Sequence, residues 1–142
     1  MNASLNQYKF EDFVELEDDF SGNRLPGIPN HTISLGSSVQ SPLGLRLNLN
    51  FRSVGEMFLR DENEEKVDAY QLLNLKLGYE KQFGAIGFGI QGGMNNVLDT
   101  KYSSMILVNA NSFGGAPPRY FYPGLPRNYY LNVKVNVTLS RS

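Results

Sequence analysis

The stretch YYLNVKVNVTL, residues 129–139, decides the fold class because apolar and polar residues alternate strictly along most of its length. Its apolar positions are Leu131, Val133, Val135, Val137 and Leu139. Polar residues, such as Asn132 and Lys134, occupy the positions between them. Successive side chains of a β-strand point to opposite faces, so this period predicts a strand with one apolar face and one polar face.

The same period recurs in other stretches of the chain, which are LNQYKFEDF (5–13), HTISLGSSV (31–39), LGLRLNLNFR (43–52), LNLKLGYEK (73–81) and AIGFGIQGG (85–93). The alternation is weakest in the first of these, where it changes phase between Leu5 and Tyr8 and suggests a bulge. Together with the final stretch, these patterns predict an all-β protein of about six antiparallel strands and no helix.

The connections between these strands alternate in length. In chain order they cover about residues 20–29, 40–43, 60–66, 81–84 and 99–127, and the second and fourth are the short ones. In an up-and-down sheet, alternate connections lie at opposite ends, so the long loops share one end and the short turns share the other. Transmembrane β-barrels of the outer-membrane type show this asymmetry.

Alternation alone does not reveal which face lies inside. A membrane barrel turns its apolar face to lipid and its polar face to a lumen, whereas a small soluble barrel does the reverse. Aromatic residues near both ends of the strands favour the membrane barrel, whose interfaces carry aromatic girdles; they are Tyr79 and Phe83 at the short turns and Phe58, Tyr70, Tyr129 and Tyr130 at the long loops. Two alternatives stay open: a soluble ligand-binding barrel or sandwich, and a small pore built from several copies.

Composition narrows the function classes. The 142 residues carry a net charge of −1, no cysteine and one histidine, so neither nucleic-acid binding nor thiolate chemistry is expected. No catalytic constellation is present, and we predict neither an enzyme nor a cofactor. Carboxylates at residues 15–19 and 61–65 are of the kind that binds Ca²⁺, but without the ordered spacing of an EF-hand loop they favour solvated loops.

Three ordered stretches resemble TonB-dependent outer-membrane receptors. MNNVLDTKY (94–102) is similar to the Asn-Leu-Phe-Asp-x-x-Tyr segment of their second-last strand. RYFYPGLPRNYYLNVKVNV (119–137) resembles their final loop, with its Pro-Gly-x-x-Arg element, and their closing strand. DFSGNRLPGIPNHTISLG (19–36) resembles a loop in which Leu-Pro-x-Pro-x-His starts a descending strand. The order and separation of the three stretches match the C-terminal part of such a barrel.

The resemblance implies that residues 1–142 form a segment of about six strands within a transmembrane barrel of about 22 strands. The plug domain and the earlier strands have no counterpart in this sequence. The implied function is uptake of a scarce solute, such as a ferric siderophore or ferric citrate, across the cell outer membrane of a Gram-negative type bacterium. The implied partners are the rest of the receptor, TonB–ExbB–ExbD, outer-membrane lipid and a ferric chelate cargo.

The candidate site residues fall into three groups. The side chains expected to face the lumen are Arg46, Asn48, Asn50, Arg52, Asn74, Lys76 and Lys134. The basic ones would either attract anionic cargo or pair with carboxylates of the plug or lumen. The residues that carry the family pattern, expected to be structural, are Asn95, Asn96, Asp99, Tyr102, Pro123, Gly124 and Arg127. The outer-loop candidates for contact with a ligand are His31 and Arg119.

Overall fold

The computed structural model describes residues 1–112 and 114–138. Their strands, in chain order, are β1 (Asn2–Leu5), β2 (Val14–Glu15), β3 (Asp18–Asp19), β4 (His31–Gln40), β5 (Leu45–Val54), β6 (Met57–Phe58), β7 (Lys66–Val67), β8 (Tyr70–Phe83), β9 (Ile86–Asn95), β10 (Ser103–Ile106), β11 (Phe121–Pro123) and β12 (Asn128–Val137). Leu139, the last predicted apolar position, lies outside the described residues. Within those residues, no helix has the length and apolar character needed to cross a bilayer.

The main sheet has six strands in the order β1-β4-β5-β8-β9-β12. Each strand neighbours the next main strand along the chain, so the predicted up-and-down arrangement is confirmed. Residues 6–30, 55–69 and 96–127 form the long connections, and residues 41–44 and 84–85 form the short ones. The predicted alternation of long and short connections is therefore also present.

The predicted first strand is wrong in its extent. The regular sheet pairing of β1 ends at Leu5, opposite His31. Beyond it the two segments stay in contact irregularly, through a bridge between Lys9 and Arg24 and through backbone hydrogen bonds such as that from the Phe10 amide to the Asn23 carbonyl at 2.9 Å. Two aromatic residues that suggested a strand beyond Leu5, Phe10 and Phe13, form a cluster with Phe20. The ring centroids of Phe10 and Phe13 are 4.7 Å apart, and those of Phe13 and Phe20 are 5.6 Å apart. Three residues separate Leu5 from Lys9, whereas six separate Arg24 from His31, so the phase change after Leu5 coincides with a shift in the register of pairing.

The chain divides into two compact units. The first unit comprises Met1–Ser34, Arg52–Gln71 and Lys101–Leu125, and the second comprises Leu35–Phe51, Leu72–Thr100 and Pro126–Ser142. The first unit holds the buried apolar residues of the described chain: Val54, Met57, Leu59 and Tyr120. It also contains three small hairpins that the sequence did not predict, formed by the pairs β2–β3, β6–β7 and β10–β11.

Asparagine side chains hold the loops of the first unit together. Asn63, at a positive φ of 60°, accepts a hydrogen bond from the Arg24 amide (2.7 Å) and donates one to the Arg24 carbonyl (2.9 Å). Asn109 Nδ2 donates to the Asp61 carboxylate at 2.7 Å, and Asn23 Nδ2 donates to the Asp61 carbonyl at 2.8 Å. These bonds join segments about 40 residues or more apart in sequence, so the long connections form an ordered body.

The second unit contains the most regular part of the sheet. β9 pairs with β8 on one side and β12 on the other, and both pairings are antiparallel. Ile90, for example, lies between Tyr79 and Val133, and the next residue, Gln91, lies between Gly78 and Asn132. Side chains alternate between faces along each strand, so these rows form one apolar face and one polar face.

Candidate functional site

A groove of about 390 Å³ opens on the polar face of the second unit. Four of the predicted lumen-facing residues line it: Arg46, Asn48, Lys76 and Lys134. The main strands β5, β8, β9 and β12 all contribute to its walls. The structure therefore brings together, from strands far apart in sequence, side chains that alternation alone had assigned to a common face.

The other three predicted lumen-facing residues do not line this groove. Asn74 Oδ1 accepts a hydrogen bond from the Asn96 amide at 2.9 Å, so its side chain caps the turn after β9. Asn50 Oδ1 lies near Gly36, at 3.9 Å from the position that a Cβ on this glycine would occupy. Arg52 belongs to the first unit.

Gly89 of β9 lies at the floor of the groove. Gly89 is buried between Glu80 on β8 and Lys134 on β12, which are its partners in the two ladders. A Cβ on Gly89 would come within 3.3 Å of Glu80 Cγ. A larger residue at this position would therefore push the flanking side chains aside and narrow the groove.

The opposite face of the same strands is apolar and exposed. On β12, Leu131, Val133 and Val135 are 70%, 55% and 62% exposed. The exposed apolar residues beside them on the neighbouring strands are Leu77, Phe83, Ile86, Phe88 and Ile90. A continuous apolar surface of this kind is rare on soluble monomers and marks contact with a membrane or with another protein.

The aromatic residues near the strand ends do not all lie on the apolar face, where an interfacial girdle would place them. Tyr79 and Phe83 share the apolar face near the short turns, and Lys81 Nζ lies 5.5 Å from the Phe83 ring centroid. Tyr129, 67% exposed, lies on the apolar face at the other end of β12. Its neighbour Tyr130 faces the polar side, and its ring covers Gly93, where an added Cβ would collide with it. Tyr130 is thus not part of an outward aromatic girdle.

The turn after β9 is built around Asn96, which is 4% exposed. At a positive φ of 50°, its Oδ1 accepts from the Thr100 amide and its Nδ2 donates to the Thr100 carbonyl, both at 2.9 Å. Asp99 Oδ1 accepts from the Arg127 amide at 3.1 Å, and Asn95 Nδ2 donates to Asn128 Oδ1 at 3.0 Å. The family-pattern residues of this segment thus tie the turn to the start of the last strand.

The remaining family-pattern residues form a second cluster, in the first unit. The Gly124 amide donates to the Tyr102 carbonyl at 2.7 Å, and the Tyr102 ring lies so close to Gly124 that a Cβ there would collide with it. Tyr102 also packs against Tyr70, with ring centroids 5.1 Å apart. Pro123 ends β11 directly before this contact. Only a glycine allows the chain to pass under the ring on its way to β12.

The two outer-loop candidates differ in their surroundings. His31 starts β4, where Nδ1 lies 2.8 Å from Asn30 Oδ1 and Nε2 lies 3.3 Å from Ser53 Oγ. Both ring nitrogens are therefore engaged within the protein. Arg119 is exposed, next to the buried Tyr120. Among the described residues, no hydrogen bond or ion pair joins His31 to Arg119.

The acidic loop residues make ordinary surface contacts. Glu62 forms an ion pair with Arg60 at 3.0 Å, and the hydrogen bond from Arg60 lowers the pKa of the Glu62 carboxyl. Glu56 pairs in the same way with Lys66 at 2.9 Å. Across residues 1–112 and 114–138, no three acidic or histidine side chains are grouped so that they could hold a metal ion.

The chain is similar to known β-barrel proteins. The family model of the TonB dependent receptor-like β-barrel matches residues 1–97, which is more than half of the chain. The chain belongs to this family. TonB-dependent receptors are outer-membrane proteins, and the family consists of receptors and transporters, not enzymes.

Solved structures share the fold of this TonB-dependent receptor chain. It matches the ferric citrate transporter FecA, in its unliganded form, with a TM-score of 0.67 at 19% identity, over 84% of this chain and 18% of that one. It matches BauA, the ferric preacinetobactin receptor from Acinetobacter baumannii, with a TM-score of 0.64 at 19% identity, over 82% of this chain and 16% of BauA.

A further match is the ferric-catecholate import receptor Fiu from E. coli K12, with a TM-score of 0.56 at 23% identity, over 77% of this chain and 15% of Fiu. The chain therefore spans less than a fifth of the length of these receptors. At these identities the matches establish the β-barrel architecture of the aligned segment.

Proposed function

We propose that this chain is the C-terminal part of the barrel wall of an outer-membrane receptor that takes up a ferric chelate. The observation that carries the proposal is the two-faced sheet of the second unit. Its apolar side chains are exposed on one face, and a groove lined by Arg46, Lys76 and Lys134 opens on the other. A membrane barrel needs an apolar outer surface and a polar lumen, and this arrangement suits both.

In this proposal the apolar face contacts lipid and the polar face borders the lumen. β12 has ten residues, which falls within the ~9–11 residues that a tilted transmembrane strand needs. Tyr79, Phe83 and Tyr129 would then lie at the two membrane interfaces, where amphipathic rings are favoured. The long connections would form the outer loops, and Arg119 and His31 would lie among them.

We further propose that uptake is energised by TonB–ExbB–ExbD and that the cargo is a ferric siderophore or ferric citrate. The family membership supports the first part. The second rests on the cargo named for the structural neighbours, which are receptors or transporters of ferric preacinetobactin, ferric citrate and ferric catecholates. The three cations of the groove suit an anionic cargo, because a lumen of positive potential concentrates anions.

Uptake of labelled iron by the source cells tests this function. Cells that lack the gene encoding this chain should lose uptake of one ferric chelate, tested as ferric citrate and as ferric catecholate and hydroxamate siderophores. Cells that lack TonB should show the same loss, and restoring the intact gene should reverse it. Unchanged uptake of every chelate in the deletion strain would contradict the proposed transport function.

A further inference from the structure

Backbone hydrogen bonds join the three long connections to one another. The Gly27 amide of the first connection donates to the Phe58 carbonyl of the second at 2.8 Å. The Asn109 amide of the third connection donates to the carbonyl of Leu59, the next residue of the second, at 2.9 Å. The second connection is therefore bonded to both of the others. In chain order the three connections are 6–30, 55–69 and 96–127.

Asparagine side chains strengthen both junctions. Asn63 of the second connection exchanges two hydrogen bonds with the backbone of Arg24 in the first. Asn109 of the third connection forms a similar pair of bonds with Asp61 of the second. Its Nδ2 donates to the Asp61 carboxylate at 2.7 Å, and its Oδ1 accepts from the Asp61 amide at 3.2 Å. Each junction thus has several hydrogen bonds, and one connection can leave its neighbour only if all of them break.

The connections also bury apolar side chains. Leu59 of the second connection and Tyr120 of the third are 2% and 7% exposed, and the Tyr120 hydroxyl accepts a hydrogen bond from Arg60 of the second at 3.4 Å. Val108 of the third connection lies over Gly27 of the first, where an added Cβ would be 2.8 Å from its Cγ1. When one connection leaves, apolar side chains become exposed to water, so the opening of the three connections is coupled.

We infer that the three long connections form one rigid body, which opens and moves only as a whole. The contacts that hold this body together all lie within the chain. The consequence for uptake rests on the proposed function and goes beyond it, because it states how these outer loops move. None of the three can fold over a cargo by itself, so any closure of the receptor carries them together or uses loops outside this chain.

Hydrogen exchange in the detergent-solubilised receptor that contains this chain tests the inference without any ligand. If the connections open together, Asn109→Ala in the third should accelerate exchange of the Gly27 amide in the first about tenfold, because the variant loses two side-chain hydrogen bonds, one of them to a charged group. The matched control is Asn111→Ala, which changes an exposed asparagine of the same connection and should leave exchange at Gly27 unchanged. Amides of β9 should keep their rates in both variants, since the sheet stays folded.

Cross-linking tests the consequence for transport. The chain has no cysteine, so Asp61→Cys combined with Asn109→Cys gives a unique pair of thiols within it. A short bifunctional thiol reagent then fixes the second connection to the third. Uptake of the ferric chelates named above should be the same before and after the reagent is added, because a body that moves as a whole has no internal motion to block. Each single variant, treated with the same reagent, is the control.

The inference is overturned if the accelerated exchange in Asn109→Ala stays within the third connection and does not reach Gly27. It is also overturned if uptake is lost only in the cross-linked double variant, or if the amides of β9 accelerate as much as Gly27, because the whole barrel would then open. Failure of the transport function gives a different result. Cells with the unmodified gene would then take up no chelate, while hydrogen exchange would still show whether the connections open together.

Discussion

Leu59 in the first unit and Leu131 in the second carry the same side chain, yet Leu59 is 2% exposed and Leu131 is 70% exposed. The first unit buries its apolar residues between loops that asparagine side chains hold together. The second unit presents them on the outer side of a regular sheet. This difference is the one expected if, as proposed above, the loops fold in water and the sheet lies in lipid.

The largest expected effect concerns Leu59, the buried leucine of the first unit. Leu59→Ala should destabilise the protein by about 2–5 kcal/mol, because it removes buried methyl groups and leaves a cavity. Leu131→Ala is the matched control, and it should cost clearly less because lipid can fill the space that it leaves. Denaturant unfolding of the receptor in phospholipid vesicles measures both. Equal losses in the two variants would mean that both leucines are packed against protein.

The second prediction addresses the apolar face. Val133→Arg should destabilise the membrane-inserted protein by about 2–4 kcal/mol, since a charge on the lipid side of a barrel is costly near the midplane. The same charge placed one residue earlier, in Asn132→Arg, lies on the polar face and should have little effect. Unfolding in vesicles again provides the measurement. If Asn132→Arg lowers the free energy of unfolding more than Val133→Arg does, the assignment of the two faces of β12 is wrong.

The third prediction concerns the turn at residues 96–100. Asn96→Ala should cost about 1–3 kcal/mol, because it leaves the backbone groups of Thr100 without partners and puts alanine at a positive φ. Leu98→Ala changes an exposed residue of the same turn and serves as the control. Hydrogen exchange of the start of β12 should accelerate in the first variant and not in the second. Unchanged exchange would show that Asn96 does not support the last strand.

The smallest expected effect depends on pH. The hydrogen bond from Lys66 lowers the pKa of Glu56 below its ordinary value of 4.5, so the pair stabilises the folded protein above that pH. The contribution disappears as the pH falls through the lowered pKa of the folded state. Glu56→Gln should therefore be slightly less stable than the parent at neutral pH and equally stable in acid. If the variant is still less stable than the parent at low pH, the loss of stability does not come from the Glu56–Lys66 ion pair.

The sheet could be predicted from the sequence because the signal is local. Residues 129–137 alternate within one strand, and no distant contact is needed to recognise the period. The loops could not be predicted, because their order depends on contacts such as Asn109 with Asp61, which are 48 residues apart. The first strand was predicted at residues 5–13 but lies at Asn2–Leu5. The spacing of Phe10 and Phe13 suggested a strand, whereas their rings form a cluster with Phe20.

The candidate site was predicted in part. Alternation assigned Arg46, Asn48, Lys76 and Lys134 to one face, and these four residues line one groove. The position of Gly89 at the floor of the groove was not predicted, because a glycine has no side chain that could contribute to an alternating pattern. It became evident only from the strand pairing, which places Glu80 and Lys134 on either side of Gly89. Tyr130 was counted with the girdle aromatics because it lies at the long-loop end of the last strand, but adjacent strand residues point to opposite faces, and Tyr130 lies on the face opposite Tyr129.

The most direct test of the account places a spin label on each face of β12 in the receptor that contains this chain. The chain has no cysteine, so Val133→Cys and Lys134→Cys each give a unique labelling site within it. In vesicles, the label at 133 should collide mainly with dissolved oxygen, which concentrates in lipid, and the label at 134 with a water-soluble nickel complex. The reverse pattern, or equal exposure of both labels to water, would contradict the assignment of the apolar face to lipid.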